Sequence, residues 1–287
     1  ILDAALIQEI HLLTMNCMVL ILSNTLQANF DKNRIMNRNP LLKFFVKEYR
    51  KKIAKQLFIE ANGVVKRGLF EGMHLGKEIH WGKADVASKI FGFYESEIVE
   101  FIKDKHYESL VNLGAADGYY PIGMLMQKMI RHAYCFEENP LGAKYINANA
   151  KLNRLDDSIS IYGRADSQFY KQLPEGIFGR NNLVLCDIEG GEFDLFTDEV
   201  IGAFSQSSFI IEIHDFKFDD GKKRRQKLID AFKNFDIEMV KSKPKQWSNI
   251  DQITELGDND RALVCSEGRR VLGEWLVAIP RKTDYGT

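Results

Sequence analysis

One histidine and a set of carboxylates stand at the ends of short apolar runs, and these are the residues whose types and spacing can do chemistry. Asp117 lies in a glycine loop after Ser109–Leu113, Glu137 follows Ala133–Phe136, Asp187 follows Leu183–Cys186, and His214 follows Phe209–Ile213, with Glu212 inside that run. Apolar runs bounded by turn residues read as buried strands, so each of these groups is delivered to a strand's carboxyl end. In open α/β sheets that is where ligands bind. A carboxylate there can accept from both hydroxyls of a ribose, and an imidazole near its ordinary pKa of about 6.5 can take a proton near neutral pH. Strand alternation places Glu212 and His214 on one face and Ile211 and Ile213 on the other. Asp187, ending the strand expected beside the first, should lie across the same crevice as His214 and face the transferred group.

The elements that must position these groups begin with SLVNLGAADGYYPIGMLM (109–126). Its apolar start stops at Gly114; Gly114 and Gly118 bracket Ala115, Ala116 and Asp117; and from Tyr120 onward Ile122, Met124, Leu125, Met129 and Ile130 recur at helical spacing. Strand, glycine loop and helix make a cradle in which backbone N–H groups can approach a ligand, although a merely structural turn has the same pattern. A phosphate loop would need GxxxxGK[ST], but Gly118 is followed by two tyrosines, which disfavours nucleoside triphosphates. A dinucleotide fingerprint needs GxGxxG, and Ala116 stands where its second glycine should be, which disfavours a nicotinamide-dependent oxidoreductase. The pattern that remains, G-x-x-x-G with an acid inside, suits a cofactor without phosphates but with an α-amino acid end, S-adenosylmethionine. Gly114, Ala115, Ala116, Asp117, Gly118 and Tyr119 are then its loop contacts. Glu137, 23 positions past Gly114, grips its ribose, with Glu138 in reserve. Asp166, after Ile159–Tyr162, either receives the adenine amino group or caps a helix.

Composition permits this reading. The 287 residues are 45% hydrophobic and 28% charged with a net charge of −1, enough for one α/β core plus an accessory segment and without the basic excess of a nucleic-acid binder. Cys17, Cys135, Cys186 and Cys265 are far apart and form no metal-ligand pattern, as expected of small core residues in a reducing, cytoplasmic setting. The sequence starts at Ile1 without a methionine, which leaves room for a trimmed leader.

Before the first strand the chain reads as helical. Leu2, Leu6, Ile10, Leu13, Cys17 and Leu20 form an amphipathic stripe whose most apolar part, Leu12 to Leu22, is too short to span a bilayer; it suits burial or self-association into a homo-oligomer. After the polar break at 31–40, a second stripe runs Leu42, Phe45, Tyr49, Ile53, Leu57. Lys43, Lys47, Arg50, Lys51, Lys52 and Lys55 occupy its other face, either solvated or drawn to an anionic membrane surface or charged glycan. In the lead-in beginning at residue 68, Gly72, Gly76 and Gly82 punctuate a helical pattern in Ile90, Tyr94, Ile98 and Phe101, which suits a flap over a ligand or a packed helix. Beyond 109 strands and helices alternate, predicting helices at Leu141–Leu152 and Lys222–Phe235. The last strands are Ile237–Val240 and Trp275–Ile279, with 258–270 as a connecting excursion. The boundaries are a helical extension over 1–67, a lead-in over 68–107 and an α/β domain over 108–287.

Four motifs in one order, VNLGAADGYYPIG (111–123), YCFEENP (134–140), LCDIEGGEFDLF (185–196) and IIEIHDF (210–216), resemble the FkbM-type family of class I S-adenosylmethionine-dependent methyltransferases. WGKADVASKIFGFYESE (81–97) and RALVCSEGR (261–269) are similar to segments that accompany that domain, so the resemblance covers roughly 70–287. It departs at Glu138, where the family usually carries proline, and this favours Glu137. The resemblance implies a Rossmann-like seven-stranded sheet with helices on both faces, and O-methyl transfer to a sugar, glycan or other hydroxylated small molecule. His214 is then the general base, with Asp187 beside it. A magnesium ion on Asp187, Glu212, His214 and Asp215 is the competing idea, less natural because magnesium prefers oxygen ligands; a structural His214 is the third. An inactive scaffold of the same fold is the alternative to catalysis.

Overall fold

A computed structural model describes residues 40–77, 85–243, 245, 250–269 and 271–281. The stripe at 2–20, its expected role in self-association, and Trp81 and Gly82 of the lead-in lie outside them. The chain divides into two compact units, 1–48 and 49–287, and the sheet with its crevice lies wholly within the second. The described elements are α1 (Pro40–Glu60), α2 (Val86–Ile90), α3 (Ser96–Ile102), β1 (Ser109–Leu113), α4 (Tyr119–Met126), β2 (His132–Phe136), α5 (Pro140–Leu152), β3 (Ile159–Tyr162) and β4 (Leu183–Cys186). They continue with α6 (Glu192–Leu195), α7 (Asp198–Ala203), β5 (Ser208–Glu212), α8 (Gly221–Ala231), β6 (Phe235–Lys241), α9 (Asp258–Cys265) and β7 (Glu274–Pro280).

The seven strands form one sheet in the order β3-β2-β1-β4-β5-β7-β6. β1 to β5 run parallel, and β7 lies antiparallel to both β5 and β6. This is the Rossmann-like α/β sheet expected from the sequence. The winding reverses between β1 and β4, which pair through Leu113 and Cys186 at their carboxyl ends, so the ligand crevice of such a sheet opens there.

Alternation along the buried strands sorts the core into two layers. Leu110, Leu183, Leu185, Ile210 and Val277 pack on the face covered by α2, α3 and α4, while Val111, Val184, Phe209 and Ile211 pack on the other. Carrying that parity past the strand ends brings Asp187, Glu212 and His214 to the first face, the one the lead-in covers. Cys135, Cys186 and Cys265 are buried free thiols. Among the described residues no helix is long and apolar enough to cross a membrane.

Four expectations are corrected. The pattern Ile90–Phe101 is two helices, because Gly92 has φ +70 and a Cβ on it would come within 2.5 Å of the Arg67 carbonyl oxygen. The helix expected to reach Phe235 ends at Ala231; Phe232 and Phe235 mimic helical spacing, but Phe235 opens β6 and packs on Phe209. The excursion 258–270 contains α9. On α1, Arg50 belongs to the buried face with Ala54, Leu57 and Phe58, while Tyr49 is exposed. The Arg50 guanidinium bonds to Asp85 at 3.1 Å and to the Ser266 carbonyl, which tethers α1 to the lead-in and to the loop after α9.

Candidate functional site

The loop from Gly114 to Gly118 is held in an unusual backbone conformation: φ is +81 at Gly114, +50 at Ala116 and +83 at Gly118. A non-glycine residue in the left-handed region is strained, and such strain persists only where the surroundings fix it. Here the Gly114 and Ala115 N–H groups both donate to the Phe136 carbonyl at 2.9 and 3.0 Å, and Gly118 N–H donates to the Ala115 carbonyl at 2.8 Å. Ala116 N–H donates to Glu137 Oε2 at 2.8 Å, and Asn149 donates to the Asp117 carbonyl at 2.9 Å. The N–H groups of Gly114, Ala115, Ala116 and Gly118 are thus engaged within the protein, and what the loop offers a ligand is the Asp117 side chain and a close backbone surface. Gly114 passes so near β4 that a Cβ there would lie 1.8 Å from the Asp187 carbonyl oxygen.

The expected cofactor groups fall in distinct places. Asp117, Tyr119 and Asp187 line a cavity of about 40 Å³ with Lys89, Tyr94 and Glu95 of the lead-in. That volume takes a few waters. Glu137 directly follows β2 and, besides the Ala116 N–H, accepts from Asn139 N–H at 2.8 Å, which splints the loop to the next helix. Glu138 is exposed and 3.4 Å from Arg164. Asp166 accepts from Gln168 N–H at 2.8 Å, two residues on in the chain, which is an Asx turn and not a cap of the 3-10 turn at Phe169–Gln172.

Asp187, Glu212 and His214 converge: one ligand atom from each lies within 4.8 Å of the others. His214 Nε2 is 3.6 Å from Asp187 Oδ1 and 3.9 Å from Glu212, and Asp187 Oδ1 is buried without a hydrogen-bond partner. Behind the imidazole stands Glu192, fully buried, which accepts from His214 N–H at 2.8 Å and from Gly190 N–H at 2.8 Å, with His214 Nδ1 at 3.3 Å. Carboxylate contact at Nδ1 selects the tautomer with the proton on Nδ1 and a lone pair on Nε2, toward Asp187. Burial works to lower the His214 pKa, but the bond to Glu192 and the charges of Asp187, Glu192 and Glu189 raise it on balance.

Arg269 closes the cluster from the lead-in side. Its guanidinium bonds Glu212, Glu95 at 2.7 Å and Glu267 at 2.6 Å, and it lies over the Trp275 ring. Burial pushes Glu95 up to about 7 despite Arg269, with the Asp187 and Glu267 charges adding to it. Burial and the Asp187 charge also push Glu212 up. A folded-state pKa above the unfolded value means stability that is present below the unfolded value and lost as pH rises through the folded one. Glu95 and Glu212 start from 4.5 and His214 from 6.5, so between about pH 5 and pH 8 the folded chain holds more protons and its stability should fall. Glu274, drawn down by its bonds to Arg225, titrates below that interval. Urea unfolding across the interval should show the midpoint dropping with pH, and Glu212→Gln should flatten the slope; a rising midpoint would contradict this.

The magnesium alternative loses Asp215, whose carboxylate faces Arg225 at 3.5 Å instead of the cluster. What remains is one imidazole and two carboxylates, one of them bonded to Arg269, a donor set that does not fit magnesium. Sequence reasoning overlooked Glu192, Lys89, Glu95 and Arg269. For Glu192 a signal existed, an acid opening a helix directly after Gly190 and Gly191; the others depend on contacts between distant elements.

No family model and no curated protein matches the sequence. Solved structures do. A precorrin-6y C5,15-methyltransferase from Geobacter metallireducens is 11% identical, with TM-score 0.42, over 73% of this chain and 93% of its own. A protein of the NADB-Rossmann superfamily from Streptococcus agalactiae is 12% identical, with TM-score 0.42, over 65% and 68%. TYW2 of P. horikoshii, in complex with MeSAdo, is 13% identical, with TM-score 0.40, over 64% and 60%. At such identities the likeness is one of chain path, and the chemistry has to come from the site itself.

Proposed function

We propose that the chain is an S-adenosylmethionine-dependent methyltransferase of the FkbM type that methylates a hydroxyl of a sugar, glycan or other small molecule. The observation that carries this reading is the crevice at the β1/β4 switch point, where a left-handed glycine loop bearing Asp117 meets Asp187 and a carboxylate-backed His214. The residues fit the donor: Asp117 and the loop would hold its amino-acid end, and Glu137, whose oxygens retain lone pairs, its ribose. When bound, the donor supplies an electrophilic methyl on a sulfonium. The chain must then orient the acceptor and remove its proton. Asp187, partly exposed, meets the acceptor hydroxyl with its other oxygen, while its buried Oδ1 lies 3.6 Å from His214 Nε2, which holds the proton once it has left. Glu192 keeps the imidazole in the tautomer that can do so.

The test is transfer of labelled methyl from S-adenosylmethionine to a panel of hydroxyl compounds, followed by mass spectrometry. A methylated product is expected, and His214→Ala should lower its rate about 100-fold while leaving donor affinity nearly intact. A wild-type rate in that variant would remove His214 from the mechanism, and a saturably bound donor with no product on any acceptor would point to a scaffold.

A further inference from the structure

Three large apolar side chains stand in water within five residues at the start of α1: Leu41, Phe44 and Phe45 are 67%, 58% and 61% exposed. The two phenylalanine rings meet edge to face at 5.8 Å, so they form a single aromatic knob. No residue from Leu41 to Tyr49 is buried, and the buried face of the helix begins at Arg50. Apolar side chains left together in water mark a surface that something covers. Lys43 and Lys47 are exposed among these side chains, and Lys52 and Lys55 are exposed further along the helix. In all, α1 carries six basic residues against Glu48 and Glu60, in a chain whose net charge is −1, so positive charge is concentrated on this one element.

A partner for such a surface must be apolar and anionic at once. The interface of an anionic lipid bilayer is both: the acyl boundary takes the aromatic knob, and the headgroups take the ammonium ends of lysines whose stems lie along it. A charged glycan would satisfy the lysines and leave the rings in water. A second copy docked on this face would bring Lys43 and Lys47 of both chains into one interface, against like-charge repulsion. We propose that the first turns of α1 dock the chain on an anionic membrane surface, with Leu41, Phe44 and Phe45 inserted and Lys43 and Lys47 at the headgroups. The helix lies in the interface and does not span it, in keeping with the absence of any spanning helix among the described residues. Attachment is reversible, because a short apolar patch and a few lysines each contribute modestly.

The test is co-sedimentation of the full chain with vesicles. Phosphatidylcholine vesicles carrying about one third phosphatidylserine should bind it about 10- to 100-fold more tightly than pure phosphatidylcholine. Raising salt to about 0.5 M should remove most of that difference. Phe44→Ser/Phe45→Ser should weaken partition about 10-fold or more at every salt concentration. Lys43→Gln/Lys47→Gln should weaken it about 10-fold at low salt and little at high salt. All four side chains are exposed, so the melting temperature should hold in both variants. Phe44→Trp, with brominated lipid in the vesicles, should be quenched beyond wild type, which separates this face from any other contact of the chain with lipid. It also decides the matter should the serine variant fail to fold. Wild type that ignores anionic vesicles, partition that the phenylalanine pair does not affect, or no added quenching overturns the proposal. Retention on heparin without vesicle binding would point to a charged glycan, and a dimer dissociated by Phe44→Ser/Phe45→Ser with vesicle partition unchanged would point to a second copy; either overturns it.

Discussion

Gly114→Ala should cost about 3 to 5 kcal/mol of stability, the sum expected for a left-handed non-glycine residue, an overpacked contact and a lost hydrogen bond. The backbone there has φ +81, and the added methyl would lie 1.8 Å from the Asp187 carbonyl oxygen. That oxygen is backbone and cannot swing aside. Relief requires β1 and β4 to part at their carboxyl ends, where Asp187 N–H donates to the Leu113 carbonyl at 2.9 Å. The same movement would displace Asp187 from His214, so a surviving fraction of folded protein should also bind the donor poorly. Urea unfolding checks this directly, and an unchanged midpoint would mean that the two strand ends are not in the contact described. Gly72, left-handed with open space at its Cβ, is the control: alanine there should be far milder.

Glu192→Ala is expected to cost about 3 to 5 kcal/mol, the range for removing one partner of a buried charged pair. The carboxylate is fully buried and serves the His214 backbone N–H, the Gly190 N–H and the imidazole. Alanine leaves these donors without an acceptor in a space that water reaches poorly, and each such group carries its own desolvation cost. Glu192→Gln retains one oxygen and the shape, so it should cost much less stability. It weakens the hold on the Nδ1 proton, and the pH profile of methyl transfer should shift more than the melting temperature does. If Glu192→Ala melts like wild type, Glu192 does not hold His214 in the way described.

Much of the frame is legible from residue order alone. Ser109–Leu113 and Leu183–Cys186 are bounded by glycine or acid on the side that matters, and both strands end where the apolar run ends. Because Asp187 follows β4 directly and His214 lies two residues past the end of β5, on the face that alternation gives Glu212, both can be placed at one crevice without knowledge of any contact. The lead-in is less legible. A Gly92 that lets the chain pass Arg67 looks the same in sequence as a tolerated helical glycine, and the apolar period runs straight through it. The charge of Arg50 argues for water, yet Asp85 and the Ser266 carbonyl, 35 and 216 positions away, bury it. Arg269 meets Glu95 across 174 positions and Lys89 meets Asp117 across 28; no local period carries such information. Charged groups that complete a site from outside the sheet are therefore what a reading by periodicity leaves out.

The most direct measurement is a calorimetric titration of the wild-type chain with S-adenosylmethionine and, separately, with NADH at neutral pH. Saturable one-to-one binding of S-adenosylmethionine with no heat from NADH is the predicted result. Binding of NADH without S-adenosylmethionine, or of neither, would contradict the assignment of this crevice.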